Sequence, residues 1–134
     1  RDERVPRCVA RAVPQLDGGL VLVGLAGSSA LRAAAATEGL RLAGEAFADR
    51  GYAPDGALLP RSVPGALLGE PAAVAAQAVS LARDGCVRAS DGSRLAVAAE
   101  TLCLHGDSPG APALAAAVRA ALLAAGLSIQ PLSA

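Results

Sequence analysis

The sequence predicts an α/β domain with mostly parallel strands and one hairpin. Three observations point there: short apolar runs of β-formers alternate with Ala-rich helical stretches, glycine closes the helical stretches, and one Ser-Asp-Gly turn sits between β-type residues. Neither a long heptad pattern nor an internal repeat of 20–50 residues interrupts that alternation.

The segment from residue 2 to about residue 13 places Val5, Val9 and Val13 at spacings of four, which reads as an amphipathic helix with Asp2 as its N-cap. Pro6 suits its first turn, and Pro14 is expected to end it near Val13. Residues 20–25 (LVLVGL) form a continuous apolar run, as expected of a buried parallel strand. Ser28 and Ser29 are placed to cap a helix that runs through Glu38, with Gly39 as its stop. Residues 40–47 repeat the strand signal.

Residues 49–64 (DRGYAPDGALLPRSVP) read as a long, ordered loop with a turn at Pro54-Asp55-Gly56, where proline fixes φ and glycine supplies a positive one. Residues 71–84 are the clearest helix: Pro71 stands at its first position, Val74, Ala78 and Leu81 share a face, and Gly85 follows. A hairpin is expected within residues 87–97, turning at Ser90-Asp91-Gly92. Residues 101–105 (TLCLH) form another short apolar strand. Residues 111–125 form a helix with Leu114, Val118, Leu122 and Ala125 on one face and Gly126 behind it, and a last strand is expected over residues 127–132.

Composition narrows the function classes. The chain has 134 residues, enough for one small domain, and a formal net charge of zero. All 12 basic residues besides His105 are arginine, so a lysine nucleophile or Schiff base is ruled out for this segment. With no basic stripe and one Tyr and one Phe for stacking, nucleic acid is not an expected partner. No run of about 20 apolar residues suggests a membrane span. Cys8, Cys86 and Cys103 form no C-x-x-C pair and are expected to be reduced, small core residues of a cytoplasmic protein. The chain starts at Arg1 and contains no methionine, which reads as a piece of something longer.

Three places carry chemistry. Gly24-Leu-Ala-Gly-Ser-Ser, a small-residue turn before a helix, offers Ser28 and backbone N–H groups to an anion; a plain tight turn is the alternative, and the end of a Walker A loop is missing. Residues 44–50 gather Glu45, Asp49 and Arg50, a set suited to acid/base work on a carboxylate-bearing substrate or to a local ion pair, with Arg61 at the far end of the same loop. His105-Gly106-Asp107 closes an apolar strand. Imidazole is the side chain suited to proton transfer near neutral pH, and a His/Asp pair also ligates metals; alternatively Asp107 caps the next helix. Glu100, at the start of that strand, lies at the wrong end of the sheet for catalysis.

The runs GLVLVGLAGSSAL (19–31), GLRLAGEAFADRGYAPDGALLPRS (39–62) and AETLCLHGDSPGA (99–111) resemble successive blocks of the LamB/YcsF family, the family of the 5-oxoprolinase A subunit, in the C-terminal half of that family's chain. The resemblance implies a partial (β/α) barrel similar to the glycoside hydrolase/deacetylase barrels, with residues 1–134 as one α/β domain. It implies a hydrolase subunit that opens the lactam of 5-oxo-L-proline to L-glutamate, with ATP as co-substrate and with 5-oxoprolinase subunits B and C as partners. Carried over by position, His105, Asp107, Glu45 and Asp49 are the catalytic candidates. Arg50, Arg61 and Ser28 are the candidates for holding substrate, and a divalent metal is left open. The family's acidic and histidine-rich N-terminal motifs fall outside this chain, which alone is not expected to turn over substrate. A non-catalytic fragment of the same fold and a metal-dependent carbohydrate deacetylase are the alternatives.

Overall fold

The computed structural model describes residues 3–107 and 110–132; Asp2, the expected cap of the first helix, lies outside them. The element order is α1 (Arg4–Leu16), β1 (Leu22–Leu25), α2 (Ser29–Thr37), β2 (Leu42–Phe47), α3 (Pro71–Asp84), β3 (Cys86–Arg88), β4 (Arg94–Ala96), β5 (Thr101–Cys103) and α4 (Ala111–Ala124). β1, β2 and β5 form a parallel sheet in that order, and β3 and β4 pair antiparallel as a separate hairpin. This is the expected α/β class: an arc of a (β/α) barrel, with too few strands to close one.

Side-chain alternation gives the arc two unlike faces. Leu22, Leu42, Ala46, Leu102 and Leu104 point to the side where helices pack. There Ala10, Ala34, Ala35 and Leu40 join α1 and α2 to the β1 flank. Ala48, Val74, Ala78, Leu114, Val118 and Leu122 join α3 and α4 beneath β2 and β5. Alanine on the strands and on the facing helices lets those layers approach closely, so the core is thin. The register Leu25↔Glu45, Glu45↔Thr101 and Phe47↔Cys103 puts Val23, Leu25, Glu45, Phe47, Thr101 and Cys103 on the opposite face, away from the helices.

The helix signals hold at most positions. Ser28 Oγ accepts from the Leu31 N–H at 3.3 Å, capping α2, and Gly85 takes the left-handed conformation at φ 61° that ends α3. Five expectations fail. The strand expected to be buried at residues 20–25 is parallel but half-exposed, with Leu20 and Val23 open at the end of the sheet. α1 does not stop at Val13 but continues through Pro14 to Leu16; the proline omits one bond to the Ala10 carbonyl, while Asp17 N–H still closes on Val13 O at 3.2 Å. Residues 127–132 form no strand: none of their backbone groups joins a ladder, and Leu127 N–H turns back to the Leu122 carbonyl. Asp107 does not cap α4, whose N-cap position is Gly110. Cys8 is exposed rather than part of the core, whereas Cys86 is buried.

The loop between β2 and α3 is folded back on itself. Isolated bridges join Arg50 to Leu67 and Tyr52 to both Leu58 and Ala89, and Gly56 at φ 81° makes the expected turn after Pro54. Gly51 is a position only glycine fills: a Cβ there would lie 2.2 Å from the Gly65 carbonyl oxygen.

Candidate active site at the carboxyl ends of two parallel strands

β2 and β5 run side by side in the same direction, so their C-terminal ends deliver the next residues to one place. That end of a parallel sheet is where ligands bind in α/β folds. β2 delivers Asp49 and β5 delivers His105. The backbone N–H of His105 donates to Asp49 Oδ2 at 2.8 Å, and ring Nδ1 lies 2.9 Å from Oδ2 and 3.0 Å from Oδ1. An ionised carboxylate only accepts, so Nδ1 carries the proton toward Asp49, and in the neutral form of the ring Nε2 is the unprotonated nitrogen. Asp49 is 3% exposed, and the two N–H donors compensate its burial. Phe47 stacks on the imidazole, with ring centroids 5.6 Å apart and planes 23° apart, fixing the ring from its flat side.

Glu45 and Cys103 share the face of the sheet that carries Phe47, by strand alternation. Burial pushes the Cys103 thiol up from its ordinary value, and the carboxylates of Glu45 and Asp49 add to that shift. Cys103 is thereby kept as a neutral thiol on the floor of the site.

Arg61 and Asp107 find each other: Arg61 Nη1 lies 3.2 Å from Asp107 Oδ2, joining the tip of the long loop to the turn after His105. Arg61 holds the Asp107 carboxyl below its usual range, with a smaller contribution from His105. Both side chains are more than half exposed, so the bridge is readily exchanged for another charged group. Arg50 is different. Only 7% exposed, it donates from Nε to Ala66 O at 3.1 Å and from Nη2 to Leu59 O at 2.7 Å, tying the loop to itself. Ser28 is engaged as the α2 cap. Arg41 and Glu100 bridge at 2.8 Å at the opposite, N-terminal ends of β2 and β5.

Of the seven candidates, the structure brings Asp49 and His105 into contact, pairs Arg61 with Asp107 next to them, and sets Glu45 on the same sheet face. Arg50 supports the site through the loop, and Ser28 lies one strand away after β1. Among the described residues, no three His, Cys, Asp or Glu side chains converge to hold a metal. No helix among them is long and apolar enough to cross a membrane. Sequence reasoning alone misses three supporting residues, Phe47, Tyr52 and Gln77. Tyr52 is 1% exposed and its hydroxyl accepts from the Phe47 N–H at 2.8 Å; Gln77 Nε2 donates toward the carbonyls of Phe47, Ala48 and Arg50. Phe47 and Tyr52 sit in a strand run and a loop with no chemical signature of their own. For Gln77 the available signal is a lone amide within an alanine-rich helix.

The chain is similar to known proteins. The chain is 51% identical over 122 residues to the A subunit of 5-oxoprolinase from Mycobacterium avium (strain 104), covering 91% of this chain and 48% of that protein. It is 49% identical over 131 residues to the A subunit of 5-oxoprolinase from Paracidovorax citrulli (strain AAC00-1), covering 98% of this chain and 52% of that protein. The crystal structure of the lactam utilization protein from Thermus thermophilus superposes with a TM-score of 0.90 at 42% identity, covering 98% of this chain and 52% of that one. The chain spans about half the length of the curated relatives it matches. The LamB/YcsF family profile matches residues 1–134 from end to end, and the chain belongs to that family.

Proposed function

We propose that this chain supplies part of the catalytic site in the A subunit of an ATP-dependent 5-oxoprolinase, opening the lactam of 5-oxo-L-proline to L-glutamate. The observation that carries the reading is the Asp49–His105 pair at the mouth of two parallel strands, in a chain whose relatives bear that subunit's name.

An unactivated amide is a poor electrophile. Transfer of the γ-phosphoryl group of ATP to its oxygen, with ADP leaving, makes the ring carbon open to water; that attack breaks the C–N bond to give the free amine and an acyl phosphate, and a second water releases phosphate and leaves the carboxylate. In this scheme Asp49 fixes the His105 tautomer, and His105 Nε2 takes a proton from the attacking water or returns one to the ring nitrogen. Glu45 is the second carboxylate of the site. Arg61, released from Asp107, meets the substrate carboxylate or the phosphoryl group. Arg50 and Ser28 act on the scaffold, Arg50 by holding the loop and Ser28 by capping α2. The B and C subunits are the proposed partners, and residues 1–134 the proposed single unit within a larger barrel.

The test is glutamate formation from 5-oxoproline with ATP and homologous B and C subunits, comparing this chain alone with a version completed by a family N-terminal half. Turnover by the completed protein, lost by roughly 10²- to 10⁴-fold in His105→Asn, is the expected result. Turnover that survives His105→Asn removes the role given to the pair. No glutamate from a folded, partner-bound completed protein removes the oxoprolinase reading.

A further inference from the structure

We infer that Gln77 is a positioning residue of the site: its side-chain amide holds the turn after β2 so that Asp49 can fix the tautomer of His105. Nε2 of Gln77 lies 3.0 Å from Phe47 O, 3.1 Å from Ala48 O and 2.8 Å from Arg50 O. Three carbonyl oxygens of a four-residue turn therefore converge on one nitrogen. Their dipoles repel one another and a donor at the centre offsets that repulsion, while the Leu68 N–H, donating to Asp49 O at 2.9 Å, holds the turn from its other side. A primary amide supplies two hydrogens, shared here among three acceptors.

The turn held in this way is the one that carries Asp49. The three carbonyls belong to the two residues before Asp49 and the one after it, so Asp49 has little freedom of its own once they are fixed. Its carboxylate then meets His105 twice, at the backbone N–H and at ring Nδ1. Gln77 is itself rigidly based. Val74 and Ala78, on either side of it on α3, are fully buried against Ala48 and the α4 residues Leu114, Val118 and Leu122. A relay from a packed helix through a backbone turn to a carboxylate is the kind of support that catalytic geometry needs, since small displacements cost large factors in rate. The side chain bonds to the backbone on both sides of Asp49, and it acts through that residue.

The inference rests on the proposed role of the Asp49–His105 pair, so the first readout is spectroscopic and independent of turnover. His105 is the only histidine of the chain, and its ring nitrogens are followed by nitrogen-15 NMR in the full chain, assigned by their loss in His105→Asn. Wild type is expected to show the Nδ1–H tautomer with a downfield, hydrogen-bonded proton. Gln77→Met keeps the length and bulk without a donor, and Gln77→Glu keeps the shape but turns an acceptor toward three acceptors. Both are expected to lose the downfield proton and to populate the Nε2–H tautomer. Ser80→Ala is the control on the same helix: it removes the bond to Cys86 O, away from the turn, and is expected to leave the His105 signals unchanged.

In the assembled enzyme the same Gln77 variants are expected to lower kcat roughly tenfold with KM nearly unchanged. A folded Gln77→Met or Gln77→Glu protein with wild-type His105 signals overturns the inference, as does a rise in KM at constant kcat. Absence of turnover in wild type sinks the functional reading, while the NMR result still decides the role of Gln77.

Discussion

Asp49 holds His105 at two points, with Oδ2 accepting from the backbone N–H at 2.8 Å and lying 2.9 Å from ring Nδ1. The two bonds do different work. The backbone bond fixes where the strand end leaves the sheet, and the ring bond fixes which nitrogen faces the open side. A carboxylate that orients an imidazole in this way also stabilises the imidazolium that forms when the ring takes a proton.

Asp49→Asn separates those two effects. The amide oxygen can still accept from the His105 backbone, so the fold is expected to persist. Its other group, 3.0 Å from Nδ1, is now a donor, and it draws the proton to Nε2 in competition with the retained oxygen, which lies 2.9 Å from the same nitrogen. Turnover by the assembled enzyme is expected to fall by roughly 10³- to 10⁴-fold, as in hydrolytic triads whose aspartate is so changed. The measurement is kcat alongside the thermal transition. Loss of turnover together with loss of folding would instead make Asp49 a structural residue.

Arg50 is expected to matter through stability. Its guanidinium is buried against the carbonyls of Ala66 and Leu59, and Arg50→Leu leaves both without those donors. Stability is expected to drop by about 2–4 kcal/mol, read from the midpoint of urea unfolding at constant slope. Arg50→Lys is expected to recover only part of the loss, because one ammonium cannot reproduce a planar fork reaching two carbonyls. If Arg50→Leu unfolds at the wild-type midpoint but raises KM, the guanidinium serves substrate after all.

How far the sequence discloses this site depends on what kind of signal each residue carries. The helices are legible because Pro71, Gly85, Ser28 and Gly126 punctuate them, and Val74, Ala78 and Leu81 repeat at helical spacing. Asp49, Arg61, His105 and Asp107 are legible as chemistry-bearing types next to strand ends. Their pairing is not, since the sequence separation of 56 between Asp49 and His105 is closed only by the parallel register of β2 and β5. Spacing within residues 44–50 leaves Arg50 between a substrate carboxylate and a local ion pair; burial instead turns it toward backbone carbonyls. Pro14 misleads because a helix can lose one interior bond when neighbouring bonds persist. The strand expected at residues 127–132 fails because an apolar run becomes a strand only where a partner edge receives it.

Gly51→Ala tests how tightly the long loop is closed. The new methyl would lie 2.2 Å from the Gly65 carbonyl oxygen and 3.0 Å from a Leu59 methyl, and the first of these is backbone that cannot swing aside. Gly51 N–H also donates to Ala66 O at 3.0 Å, and its own carbonyl accepts from Leu59 N–H at 2.9 Å, so the strands of the loop must part for the methyl to fit. The expected cost is about 1–3 kcal/mol by urea unfolding. The loop is expected to become sensitive to proteolysis between residues 53 and 65 before the rest of the chain. Unchanged stability and unchanged proteolysis would show that the loop is open in solution.

Tyr52 makes the alkaline limit of the fold measurable. It is the only tyrosine, 1% exposed, and its hydroxyl accepts from the Phe47 N–H beside the site. Burial pushes its phenol above the ordinary value of 10.0, partly offset by the Phe47 bond and by Arg50. Below pH 10 both folded and unfolded chains hold the phenol neutral, and the fold keeps its full stability there. Above it the unfolded phenol ionises first, so stability falls as pH rises through the higher folded value. Absorbance at 295 nm is therefore expected to report Tyr52 ionisation in the native protein only above pH 10, coincident with loss of helical circular dichroism. In Tyr52→Phe the alkaline loss attributable to this group is expected to vanish. That variant should also be less stable at neutral pH by about 1–3 kcal/mol, because the Phe47 N–H loses its acceptor. Ionisation of Tyr52 near pH 10 with the fold intact would mean that the phenol is open to solvent and that the Phe47 contact does not hold the strand end beside Asp49.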